Sequence, residues 1–219
     1  MKKIQYLILA SALLLGFTRG AYAHSYQWED PKSGVSISFP DDWKRINAQK
    51  PDMVFSIIAP DPVAQPICSL RVQEDKRFQI YPRDYERAIQ KTAYSQQFWK
   101  TYLNQFFDVT LHDVKDDAAL GQGHASYAFA TYQNEVMGKD LSQRRGLAFA
   151  TLYQGQAYVL DCSVEASAFP KWLKAFESIT KTVEFQNTSN GLLFGHYRDS
   201  LPNNGYVFKI PGQVATWLF

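Results

Sequence analysis

The tightest limit on what this chain can fold into sits at its start. Lys2 and Lys3 lead into an apolar run over residues 4–17, and Ala21-Tyr22-Ala23 follows with small residues at the positions a leader peptidase reads. The run is about 14 residues, short of the roughly 20 needed to span a bilayer, and no second long apolar stretch follows. Residues 1–23 therefore read as a secretory signal peptide. The mature chain is expected to begin at His24 and to fold in the periplasm or outside the cell, without a transmembrane segment. Position 24 is histidine rather than the cysteine a lipoprotein leader requires.

Cleavage removes Lys2, Lys3 and Arg19 but no acid, so the charge moves from +2 to −1, with 20 bases against 21 acids. The sequence is then not basic enough to argue for nucleic-acid binding. The remaining 196 residues, with 15% aromatics in the whole sequence, suffice for one sizeable core.

Cys68 and Cys162 lie in Ile67-Cys-Ser-Leu-Arg-Val72 and Tyr158-Val-Leu-Asp-Cys-Ser-Val164, both alternating as strands do. Cys68, Leu70 and Val72 share one face; Tyr158, Leu160, Cys162 and Val164 share another, so each cysteine points to an apolar side. In an oxidising compartment such a pair is expected to be bridged, between neighbouring strands. The plainer alternative is two buried thiols. With no CxxC, neither a zinc site nor a thioredoxin-type centre is supported.

Strict alternation at Val35-Ser-Ile-Ser-Phe39, preceded by a strand-like 26–29 and a turn at Asp30-Pro-Lys-Ser-Gly34, predicts a hairpin. Two more strands are expected over 53–59 and 67–74, joined by a stiff surface loop with three prolines between Pro60 and Pro66. A helix is expected over 82–106, with Tyr85, Ala88, Ile89, Trp99, Tyr102, Leu103 and Phe106 inward, and Gln90, Gln97, Lys100 and Asn104 on the polar face with Arg83 and Arg87. Ser95-Gln96-Gln97 marks a weak point where it bends or divides. Four strands follow over 109–114, 124–135, 141–152 and 156–164. Two of them echo each other, in Tyr127-Ala-Phe-Ala-Thr-Tyr-Gln133 and Leu147-Ala-Phe-Ala-Thr-Leu-Tyr-Gln154. The small residues on one face of both would let a helix approach the sheet closely. An amphipathic helix over 169–183 buries Phe169, Trp172, Leu173, Phe176, Ile179 and Val183.

The segment Gly34-Val-Ser-Ile-Ser-Phe-Pro-Asp-Asp-Trp43 and this order of elements resemble the PsbP-like and DcrB-like α/β-sandwich family, whose fold is shared with the nuclear Ran-binding factor. The likeness runs from about residue 26 to 185. It implies an α+β fold in which an antiparallel β-sheet carries helices packed on its faces, an α/β/α sandwich used to support or regulate larger assemblies. It carries over no catalytic residue. The organisation expected is a signal peptide over 1–23, an α/β domain over 24–186 and a C-terminal aromatic tail over 187–219.

The remaining candidates are weaker. A mature His24 offers an α-amine and an imidazole that could chelate Cu(II) with His112, His124 or His196; the favoured reading is a frayed terminus that happens to carry histidine, because no second histidine has motif spacing. Asp113, Asp116 and Asp117 lack the spacing of a calcium loop and read as a solvated turn. Lys76-Arg77 and Arg144-Arg145 read as strand-end charges, and no hydrolase motif occurs. The tail aromatics Phe194, Tyr197, Tyr206, Phe208, Trp217 and Phe219 either pack on the domain or mark a partner surface. The expected function is that of a non-enzymatic exported accessory protein binding an envelope partner, without cofactor. The alternative is copper binding at His24. A small-ligand pocket between helix and sheet is compatible with the fold, but no residue points to it.

Overall fold

Alternation and turn chemistry produce most of the strands in the computed structural model, which describes residues 24–47, 50–75, 85–121, 123–136 and 139–186. The leader, Lys76-Arg77, His196 and the aromatic tail lie outside the described residues. β1 (Ser25–Asp30) and β2 (Val35–Pro40) form the expected hairpin, closed at Gly34, whose φ of 66° suits glycine. β10 (Glu184–Phe185) pairs antiparallel with β2 and completes a small sheet in the order β1-β2-β10.

The large sheet has seven antiparallel strands in the order β3-β4-β5-β9-β8-β7-β6. These are β3 (Lys44–Arg45), β4 (Met53–Ile58), β5 (Ile67–Glu74), β6 (Phe107–Leu120), β7 (Gly123–Val136), β8 (Lys139–Tyr153) and β9 (Gln156–Glu165). Its two faces bury two separate cores. On one face, Phe55, Ile57, Leu70, Tyr158 and Leu160 meet Val35, Ile37 and Phe39 of the small sheet, together with Phe169, Phe176 and Ile179 of α3 (Phe169–Lys181). Trp43, just past Pro40, closes that sandwich by packing edge-on against Trp172 and Phe176 at 5.8 and 6.4 Å. On the other face, Ala128, Ala130, Ala148 and Ala150 lie beneath α1 (Glu86–Ala93) and α2 (Gln96–Leu103). The echoing segments are in register there, with Ala128 directly opposite Ala148. Small side chains in two adjacent strands make room for Tyr94, Phe98 and Trp99, as the alternation predicts. No helix among the described residues is long and apolar enough to cross a membrane.

The long helix divides at Tyr94-Ser95, at the expected weak point, where Ser95 takes an extended backbone (ψ −179°) at the N-cap position of α2. Several expectations are corrected. Tyr85 and Ala88 are exposed, and Gln90, expected on the polar face, is buried. Its amide donates to the Ala150 carbonyl at 2.7 Å and accepts from the Leu152 amide at 3.1 Å. These two bonds to the backbone of β8 fix Gln90 on the face that α1 turns inward. The Asp113–Asp117 segment is strand, not turn: β6 runs on to Leu120, with Lys115 at 3.7 Å from Asp113. Arg144 is not a strand-end charge. It is 1% exposed, donating from Nη2 to the carbonyls of Gln65 (2.7 Å) and Ser163 (2.9 Å). It pins the proline-rich loop to the sheet, where Ala64 is buried.

The turn from β6 to β7 supports one prediction. Gly121 has φ +60°, and a Cβ there would stand 2.7 Å from the Phe185 ring and 2.8 Å from the Val183 carbonyl oxygen. Gly121→Ala is expected to destabilise the protein by about 2–3 kcal/mol, combining left-handed strain with overpacking against β10. Urea unfolding followed by tryptophan fluorescence measures it; a change below about 0.5 kcal/mol, the size of an unconstrained surface substitution, would show that the turn is free to move off Phe185.

Candidate functional site

Alternation that sends Cys68, Leu70 and Leu160 into one core sends Ser69, Arg71 and Asp161 to the opposite face. There, beyond the end of the alanine stripe, the large sheet is polar. Ser56 of β4 and Ser69 of β5 share a hydrogen bond of 2.9 Å, and Asp161 lies opposite Ser69 on β9. The chain leaving α2 supplies Gln105 and Phe106 as a wall, and the segment between β3 and β4 brings Lys50 to the rim. Together these enclose a cavity of about 160 Å³. A single water needs about 10–15 Å³ of such space, so the cavity has room for several waters or one small organic molecule.

Gln105 organises the cations. Its Nε2 donates to the Tyr102 carbonyl at 2.9 Å, which turns Oε1 toward the cavity. That oxygen accepts from Lys50 Nζ at 2.6 Å and from Arg71 Nη2 at 2.9 Å. Two cations therefore converge on one neutral amide oxygen. Arg71 is 5% exposed, and its guanidinium carbon lies 5.3 Å from the centre of the Tyr102 ring. Its Nη1 is buried without a hydrogen-bond partner, 4.0 Å from Asp52 Oδ2, which also has none.

The electrostatics follow from this crowding. Burial lowers the Lys50 ammonium to about 8, and the Arg71 charge adds to the fall against the upward pull of Asp52 and Asp161. Burial pushes the Asp161 carboxyl up, while Arg71, the Tyr102 hydroxyl, Arg144 and Lys50 pull it down. The Tyr102 hydroxyl donates to Asp161 Oδ2 at 3.3 Å, and burial holds that phenol, like the Tyr132 phenol, in its neutral form.

The candidates named from the sequence fall elsewhere. Cys68 and Cys162 are directly opposed on β5 and β9 and joined by a disulfide, with Cα atoms 4.0 Å apart, as predicted. His24 precedes β1 in the small sheet; His112 lies on β6, where its Nε2 is 2.7 Å from Thr131 Oγ1, and His124 starts the turn-proximal part of β7. Among the described residues, no three His, Cys, Asp or Glu side chains gather as metal ligands do. The residues that form the cavity were not singled out by sequence. A signal existed for part of it: pairing Cys68 with Cys162 in antiparallel register places Ser69 opposite Asp161.

Comparison with protein-family models and with curated proteins returns no match. Comparison with solved structures does. The solution structure of cyanobacterial PsbP (CyanoP) from Synechocystis sp. PCC 6803 is 17% identical, with a TM-score of 0.50, covering 79% of this chain and 99% of that one. LpqN of Mycobacterium tuberculosis, a protein involved in cell envelope biogenesis, is 16% identical over 74% of this chain and 91% of its own, with a TM-score of 0.45. The Ran-binding protein Mog1p of Saccharomyces cerevisiae is 7% identical over 74% of this chain and 96% of its own, with a TM-score of 0.44. At these identities the likeness concerns fold, and the near-complete coverage of CyanoP matches the two sheets and packed helices described above: the chain has the PsbP-like α/β-sandwich fold.

Proposed function

We propose that the protein is an exported, non-enzymatic accessory protein that binds another protein of the cell envelope. One observation carries the reading: the large sheet ends, among the described residues, in the 14-residue strand β6, with Phe107 64% and Val109 37% exposed at its start. An edge strand offers a row of backbone donors and acceptors to an extended segment of a partner. Register shifts between Phe107 and Thr110, between Leu111 and Asp113 and between Lys115 and Ala118, together with the exposed charges of Asp113, Lys115 and Asp117, oppose continuous pairing between two copies. The exposed Phe107 and Val109 side chains at the start of β6 then supply the apolar contact for a partner. The Cys68–Cys162 bridge fits an oxidising compartment and so supports reading residues 1–23 as an export leader.

The experiment is crosslinking and affinity capture from envelope extracts with three versions of the chain: full length, Phe107→Lys with Val109→Lys, and a deletion of residues 187–219. One reproducible partner, recovered by the full chain and lost with the double lysine variant, is expected. Loss with the deletion as well would add the aromatic tail to the docking surface. No reproducible partner from the full chain, or a partner retained by the double variant, would overturn the reading. N-terminal sequencing of the exported protein is expected to begin at His24.

A further inference from the structure

We propose that the cavity between β4, β5, β9 and the end of α2 binds the carboxylate group of a small organic monoanion, held by Lys50 and Arg71. The proposal does not depend on the docking role of β6. It starts from an imbalance in hydrogen bonding. Lys50 Nζ and Arg71 Nη2 share the single neutral oxygen of Gln105, and Arg71 Nη1 is buried with no acceptor within hydrogen-bond distance. Two cationic groups aimed at one place call for an acceptor with two charged oxygens, and a guanidinium presents the paired N–H geometry that a carboxylate fits.

Charge sets the valence of the ligand. Lys50 and Arg71 line the cavity with Asp161, and Asp52 stands beside Arg71, so two cations face two acids before any ligand binds. Asp52 approaches Arg71 from the side at 4.0 Å without a hydrogen bond. A dianion would meet both carboxylates with two charges, whereas a monoanion brings only the single charge that Lys50 and Arg71 can share between them. Shape sets its body: Ile46, Met53 and Phe106 line the same cavity and offer apolar surface to a short alkyl group, and Phe106 is fixed by stacking on Tyr132 at 4.1 Å. A volume of about 160 Å³ admits a short-chain acid.

The pH dependence has a definite sign. The charged groups facing Lys50 are Arg71 on β5, Asp52 before β4 and Asp161 on β9, and the lysine sits near 8 in the empty cavity. A bound anion favours the protonated amine. Affinity should therefore be steady below about pH 8 and fall as Lys50 loses its proton above it, by up to roughly tenfold per pH unit.

The test is isothermal calorimetry on the full mature chain with sodium butyrate, the neutral isostere butyramide and inorganic phosphate as probes. Saturable butyrate binding is expected, at least about tenfold tighter than butyramide or phosphate. Because Arg71 is buried and its variants risk misfolding, Lys50→Met carries the mutational arm. With an unchanged melting temperature it should weaken butyrate binding by about tenfold or more and abolish the fall above pH 8. Absence of saturable butyrate binding, equal binding of butyramide, tighter binding of phosphate, or unaltered affinity in folded Lys50→Met would each overturn the proposal.

Discussion

Replacing Cys68 and Cys162 together by alanine is expected to destabilise the protein by about 3–5 kcal/mol. The two residues are 94 apart in sequence, so the bridge closes a loop comprising much of the described chain. Chain-entropy reasoning assigns a loop of that size about 4–5 kcal/mol, lost from the denatured ensemble rather than from native contacts. The native structure itself should change little. Eight residue pairs still join β5 to β9, and both cysteines sit at 0% exposure among Ile57, Leu70, Leu160 and Val164, where alanine methyls fit. For a protein of this size the loss corresponds to a fall in melting temperature of about 2–4 °C per kcal/mol. Thermal and urea unfolding of the oxidised protein and the double variant measure it, and wild-type protein unfolded in reductant should reproduce the variant. A difference below about 1 kcal/mol would contradict the loop-closure argument. Two reactive thiols in denatured, unreduced protein would remove the bridge itself.

The same pair of cysteines shows how far the sequence is informative. Period-2 alternation around each gave the correct buried faces, and their pairing fixes the register, since Cys68 against Cys162 forces Ser69 against Asp161 and Leu70 against Leu160. The alanine stripes of β7 and β8 announced the helices above them, and the Pro40 to Trp43 exit announced an aromatic closing the sandwich. What stayed hidden depended on contacts distant in sequence. The two-residue strands β3 and β10 are too short to alternate and exist because β4 and β2 present open edges to them. Arg144 reads as a surface charge until the loop carbonyl of Gln65, 79 residues away, reaches its guanidinium. The cavity is a similar case. Its floor was latent in the strand register, but Lys50 arrives from an irregular segment and Gln105 from beyond a helix end, and no periodicity governs either position.

The helix-covered face gives the second large effect. Trp99 is fully buried beneath α2's contact with the sheet; its indole Nε1 donates to Ser126 Oγ at 2.6 Å, and its ring meets Phe98 and Tyr102 edge-on at 5.0 and 5.7 Å. Truncating a buried tryptophan costs about 3–5 kcal/mol, and leaving the Ser126 hydroxyl buried without its donor adds to that, so Trp99→Ala is expected to destabilise by about 4–6 kcal/mol. The alanines beneath it cannot fill the space, because Ala128, Ala130, Ala148 and Ala150 are the small side chains that admitted the indole. Trp99→Phe separates the two contributions: it keeps much of the ring and removes the donor, and should cost about 1–2 kcal/mol. Because Tyr102 and Gln105 follow on the same helix and its exit, Trp99→Ala should also loosen the wall of the cavity, whereas Trp99→Phe should leave it standing. Urea unfolding of both variants, with calorimetric butyrate titration of whichever remains folded, tests the ordering. Equal destabilisation by alanine and phenylalanine would show that the hydrogen bond to Ser126, not the filled volume, holds α2 to the sheet.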